Sequence, residues 1–121
     1  MKFNYYSYAL LATGGFIGAV MRWLIDMQIP SLPGTLIVNF LGCVFMGIFM
    51  YESIYIGAFR RETRILFGVG VIGAFTTFSA LAVQSFEVSP GIASLNLAAN
   101  LVLGFFGIFV GRYFITYQRG I

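Results

Sequence analysis

The segment Gly73-Ala74-Phe75-Thr76-Thr77-Phe78-Ser79 sets three hydroxyls and two phenyl rings within seven residues, inside a stretch (65–86) that carries no charge. Gly73 and the two β-branched threonines make this a poor site for continuous helix. Unwound backbone inside an apolar span persists only where protein or trapped water satisfies its polar groups. Such breaks commonly offer carbonyl oxygens to a cation and amides to an anion. A regular helix whose Thr and Ser side chains bond back to the preceding turn is the equal alternative. Phe78 stands between the hydroxyls. An aromatic ring has a positive edge, so Phe78 presented edge-on can meet a small anion, while plain packing is the commoner use of any one phenylalanine.

Asn39 lies five residues into the run opening Gly34-Thr35-Leu36-Ile37-Val38. An amide in hydrocarbon is costly unless bonded. It can donate to a passing anion or simply bond a neighbouring helix, and the structural use weighs more on these grounds alone. Asn96 and Asn100 are four apart and share one helix face with Gly104 and Gly107. That face can line a polar track or hold helices together. Arg22, near the end of the first apolar run, can snorkel to the interface or draw anions toward a vestibule.

Other chemistry is excluded. The chain has no histidine, one cysteine (Cys43), and four acids, Asp26, Glu52, Glu62 and Glu87, expected at helix ends or in loops. These assemble neither a metal-ligand cluster nor a nucleophile–base pair, so an enzyme is not expected. A proton-coupled transporter generally needs an intramembrane carboxylate or histidine as a relay. The alternative reading, a small transporter of the multidrug type, calls for an acid inside the first helix, and none precedes Asp26. Gly68-Val-Gly70-Val-Ile-Gly73 fits the dinucleotide fingerprint, but that motif requires a strand before it and a helix after it. Here it sits within an uncharged apolar run.

The elements that must carry these residues follow from the composition. Of 121 residues 60% are hydrophobic and 9% charged, with a mean hydropathy of +0.92. Residues 3–21, 27–51, 65–86 and 88–111 are free of charge. Each run reaches or approaches the roughly 20 residues that a helix needs to cross the hydrocarbon. Backbone in lipid must pair within its own segment. The expected fold is therefore an all-α membrane protein, one domain over residues 1–121, with four transmembrane helices near 5–25, 34–54, 65–87 and 91–115. Pro30, Ser31 and Pro33 mark the first loop, and Ser89-Pro90-Gly91 the third.

Lys2, Arg60, Arg61, Arg64, Arg112 and Arg119 fall on the side holding both termini, and Arg22 alone toward the other. That bias predicts cytoplasmic termini in the cell membrane. Tyr5, Tyr6, Tyr8, Tyr113 and Tyr117 gather at the same interface, as an aromatic belt does. Small residues at close-packing spacing (Gly14 with Gly18, Gly15 with Ala19, Gly107 with Gly111) predict helix–helix contact. Four helices enclose little space, so an oligomer is expected. The net charge of +3 is a loop property and calls for no nucleic-acid partner.

Taken together, the segments resemble the Fluc (CrcB) family of fluoride channels. The matching pieces are Gly14-Gly15-Phe16-Ile17-Gly18-Ala19-Val20-Met21-Arg22, the Asn39 box from Gly34 to Gly42, the Gly73–Ser79 segment, and the glycine-rich last helix ending Gly107–Gly111. The likeness covers essentially the whole chain. It implies passive fluoride export through an antiparallel dimer with two pores, the third helix being broken near the bilayer midplane. By the same resemblance Asn39 is the pore amide, and Phe78 offers a ring edge to fluoride. Thr77 and Ser79 supply hydroxyls near the pore. The carbonyls of Gly73 and Thr76 hold a central, structural Na⁺ shared by both subunits. Arg22 matches the family's first-helix arginine. Two departures stand out. The family often carries a second pore phenylalanine three residues after the first, and here that position is Leu81. An antiparallel homodimer also needs insertion in both orientations, whereas this charge bias favours one, which brings in an oppositely oriented paralogue as the alternative partner.

Overall fold

The computed structural model describes residues 4–120, the side chain of Arg119 excepted; Lys2 lies outside the described residues. Four helical spans are long and apolar enough to cross a membrane. They are α1 (Tyr5–Gln28), α2 (Ser31–Ile56), the span Arg61–Phe86, and α5 (Pro90–Arg119). The third span is interrupted over 76–78, which divides it into α3 (61–75) and α4 (Ser79–Phe86). The helices run several residues beyond the expected limits because an uncharged run measures the oily length, and charge does not end a helix. Caps do. The Asn4 side chain accepts the Ser7 amide at 2.9 Å to start α1. Ser89 accepts the Ile92 amide ahead of Pro90 to start α5. Gly57, at φ 68°, closes α2 in the left-handed region.

The helices pair as α1 on α3 and α2 on α5. Glycine decides both contacts. A side chain at Gly14 would strike the Leu66 carbonyl, and one at Gly18 the Val71 carbonyl. Gly107 and Gly111 bring α5 onto α2 in the same way, against the main chain at Phe40 and Val44. Two of the three expected small-residue pairs therefore pack within the subunit. Gly15 differs, with open space where a Cβ would be. Replacing Gly18 by alanine forces a methyl against main chain that cannot yield, and is expected to destabilise the subunit by about 1–3 kcal/mol. Thermal unfolding in detergent reads this directly. Gly91→Ala serves as control, because nothing lies near its added methyl.

Little else is interior. The buried apolar side chains are Val38, Tyr51, Ile65, Ile72, Phe75 and Leu81, while Phe16, Trp23, Phe86, Phe105 and many others face outward. Such a surface is stable only in lipid or against another chain. Toward the termini Tyr5, Tyr6, Tyr8, Tyr113 and Tyr117 are all exposed, the last two stacked, and the Arg112 guanidinium lies over the Tyr55 ring. From Arg64 to Ile72, immediately before the α3 terminus, the helix widens to π-type pairing. Wide turns of this kind are rare and concentrate at functional sites.

Candidate functional site

Helical pairing fails where α3 ends. Thr76 is extended at φ −75° and ψ 157°, and α4 restarts at Ser79. The amide of Thr77, which in an unbroken helix would close on Gly73, donates instead to Asn39 Oδ1 at 2.8 Å. Asn39 Nδ2 donates back to the Thr77 carbonyl at 3.0 Å. The side chain of α2 thus substitutes for the lost helical bonds on both sides of one residue. Gly42 lies on the same face of α2 and makes room for the Thr76 methyl group. The Thr76 hydroxyl still bonds back to Ile72 O at 3.3 Å, so the segment combines an interruption with a back-bonded threonine.

This interruption also fixes the direction of a line of amides. A main-chain N–H can only donate, so the Thr77 amide requires the oxygen of Asn39. The Asn39 nitrogen must then find acceptors, and besides Thr77 O it takes Asn100 Oδ1 at 3.1 Å. Asn100 Nδ2 passes on to Asn96 O at 2.9 Å and Asn96 Oδ1 at 3.2 Å. Asn96 Nδ2 ends the line on Ser85 Oγ at 3.0 Å. Asn96 and Asn100 are each 8% exposed, Thr77 7% and Ser85 8%, so a polar seam is buried between α2, α4 and α5. Networks satisfied throughout at low dielectric are rigid. Thr77 Oγ1 accepts the Ala80 amide at 3.1 Å and meets Ser79 Oγ at 3.3 Å, which joins the two hydroxyls at the start of α4.

An open groove of about 550 Å³ lies over this seam. Asn39, Thr76, Thr77 and Asn100 supply its polar side; Phe78, Leu81 and Leu97 are among its apolar walls. Phe78 is 78% exposed while Phe75, one turn earlier, is 4% exposed. Leu81 is buried and lines the groove without an aromatic edge. A second groove of about 530 Å³, between Met21, Phe45 and Phe67, has apolar walls and offers an ion no donor.

The structure brings together Asn39, Thr77, Ser79, Asn96 and Asn100 through hydrogen bonds, with Phe78 and Leu81 at the groove. Arg22 does not join them; it is half-buried on α1 and lines neither groove. The acids also stay away. Glu62 approaches Arg60 at 3.8 Å, Glu87 follows α4, and Glu52 is buried in the last six residues of α2. Among the described residues no group of His, Cys, Asp or Glu could hold a metal. Main-chain oxygen is another matter. Thr77 N–H is taken by Asn39 and Ala80 N–H by the Thr77 hydroxyl, so the carbonyls of Gly73 and Thr76 both lose the amide that a helix would give them. Among the described residues Gly73 O keeps only the Thr76 hydroxyl at 3.5 Å. Two freed carbonyls on the chain surface are a donor set that fits a hard monovalent cation.

Three participants were not singled out in the sequence: Ser85, and the pair Thr35 and Gln84, joined by a 2.8 Å bond from Thr35 Oγ1 to Gln84 Oε1. Thr35 had a signal, since it stands one turn before Asn39 on the same helix face. Ser85 had none, because its partner Asn96 lies across a loop.

The family model described as "CrcB-like protein, Camphor Resistance (CrcB)" matches residues 9–112. The chain is 51% identical over 111 residues to the fluoride-specific ion channel FluC 1 of Methanospirillum hungatei JF-1, covering 92% of this chain and 79% of that one. It is 44% identical over 104 residues to FluC 2 of Methanosarcina acetivorans, covering 85% and 82% respectively. FluC 1 of the same organism is 36% identical over 129 residues, covering 96% and 98%.

Proposed function

The chain belongs to the CrcB family, and from that membership we infer that it is a fluoride-specific ion channel, not an enzyme, in a multi-pass membrane setting. The observation that carries the mechanism is the Asn39 clamp on Thr77 beneath an open groove. Fluoride is small and strongly hydrated. A route through hydrocarbon must replace its water with donors held in place, because flexible donors would lose the entropy that rigid ones do not. Asn39 supplies the amide, held in place by Asn100 and Asn96, Thr77 and Ser79 supply hydroxyls, and Phe78 a ring edge. Arg22, outside the seam, raises local anion concentration at the mouth. Among the described residues no carboxylate borders the groove to couple flux to protons, and the ion moves passively down its electrochemical gradient and leaves the cell.

The working unit is an antiparallel dimer with two pores, in the cell membrane. Supporting this are the exposed ring of Phe78, the open side of the groove, and the open face at Gly15. The carbonyls of Gly73 and Thr76 would hold a structural Na⁺ at the dimer axis, shared with the same carbonyls of a second copy, and its charge would offset the partial charges of those oxygens. The partner is a second copy of this chain. The charge bias favours one alternative, a paralogue inserted the other way with the termini of this chain cytoplasmic. Arg60, Arg61, Arg64 and Arg112 share one end of the bundle against Arg22 at the other. Methanosarcina acetivorans carries two numbered relatives of this chain.

Efflux from proteoliposomes holding the purified chain, followed with a fluoride electrode, tests the reading. Fluoride should leave at a rate set by its own potential, unchanged when a protonophore and a sodium ionophore clamp those gradients, and chloride should be retained. Vesicles as tight to fluoride as plain lipid, with or without a sister chain, would sink it. Tags on the termini then count orientations: a mixture supports the homodimer, and a single orientation rejects it in favour of the paralogue.

A further inference from the structure

We propose that Asn100 is a displaceable latch, whose carboxamide oxygen holds the Asn39 N–H that fluoride takes. The inference rests on the reading of Asn39 as a fluoride donor. A carboxamide nitrogen carries two hydrogens. Asn39 has spent both, one on Thr77 O at 3.0 Å and one on Asn100 Oδ1 at 3.1 Å. An anion arriving at Asn39 finds no vacant donor and must evict one of these acceptors.

The two are not equally movable. Thr77 O belongs to a main-chain unit held by Asn39 on both its carbonyl and its amide. Evicting it would remodel the segment between α3 and α4. Asn100 Oδ1 belongs to a side chain that borders the groove and can turn about its own torsions, the planar carboxamide trading its contacts with Asn96 as it moves and leaving the main chain in place. The exchange is favourable for fluoride because hydrogen bonds to an ionised acceptor are about twice as strong as neutral ones. A larger halide, with its charge spread over more surface, gains less from the same N–H and does not repay the eviction. Between ions the latch keeps a buried donor satisfied, at a site where an orphaned one would cost about 1–3 kcal/mol.

Asn100 then acts in the opposite sense from a simple ligand, since removing it should improve fluoride binding. Asn100→Leu keeps the volume and removes the acceptor; Asn100→Ala removes it with less bulk, should leucine disturb packing. Each is reconstituted as the full chain beside wild type. The half-saturating fluoride concentration for flux is expected to fall about threefold to tenfold, the equivalent of one neutral hydrogen bond. The fluoride-over-chloride permeability ratio is expected to fall with it. Wild-type flux with that concentration unchanged or raised in both Leu and Ala variants overturns the latch alone, a raised value making Asn100 an ordinary ligand. Absence of wild-type flux overturns the channel reading, and the latch with it.

Discussion

Exchanging Asn39 for aspartate is expected to abolish fluoride conduction while leaving the subunit folded. The new carboxylate still accepts the Thr77 amide, so the bond that fixes the interruption survives. It cannot donate, so the bonds to Thr77 O and Asn100 Oδ1 are lost, at about 1–3 kcal/mol for each acceptor left without a partner. Asn100 can reverse its amide to face the new charge, which limits the damage. Transport suffers far more. A fixed negative charge about 4 Å from a passing anion repels it by about 4 kcal/mol at an effective dielectric of 20, close to a thousandfold in rate. A monodisperse elution profile confirms folding, and a fluoride electrode reads efflux from the same preparation. Wild-type efflux from the aspartate variant would reduce Asn39 to a cross-link between helices.

The sequence made the four spans plain because charge exclusion from hydrocarbon is a severe, local rule. It also predicted the faces on which α1 and α5 pack, since Gly14 with Gly18 and Gly107 with Gly111 let main chains come close. The same rule does not say which surface Gly15 meets: its spacing to Ala19 is identical, but within this subunit its Cβ position faces open space. Small residues permit contact without compelling it. For the site, residue types pointed to Asn39, Thr77 and Asn100, but the sequence left open whether 73–79 unwinds or back-bonds. Thr76 shows why the choice was underdetermined, as it is extended in the main chain and back-bonded through its hydroxyl. The direction of the amide line was beyond reach. It depends on which N–H the interruption frees, and that N–H meets an oxygen 38 residues away. The link between Thr35 and Gln84 spans 49 residues and was hidden for the same reason.

Replacing Phe78 by isoleucine is expected to lower fluoride flux by about tenfold or more without loss of subunit stability. Phe75 and Phe78 make the case by contrast. Phe75 is 4% exposed and sits against Gly42 at the junction of α2 and α3, where its size is needed. Phe78 is 78% exposed, so packing inside the subunit does not account for its ring. It is the one aromatic side chain lining the groove over Asn39 among the described residues, and Leu81, where a second ring would stand, offers no positive edge. The ring's contribution is therefore not duplicated nearby. Isoleucine keeps the apolar surface but removes the quadrupole. Ion–ring attractions in dehydrated sites reach about 2 kcal/mol, judged from cations on ring faces, which corresponds to some thirtyfold. Thermal unfolding should change by less than about 0.5 kcal/mol, as for other exposed substitutions. A drop in flux beside unchanged stability assigns the ring to the ion. Unchanged flux returns Phe78 to packing against lipid or a second subunit and leaves the amides and hydroxyls to carry the anion alone.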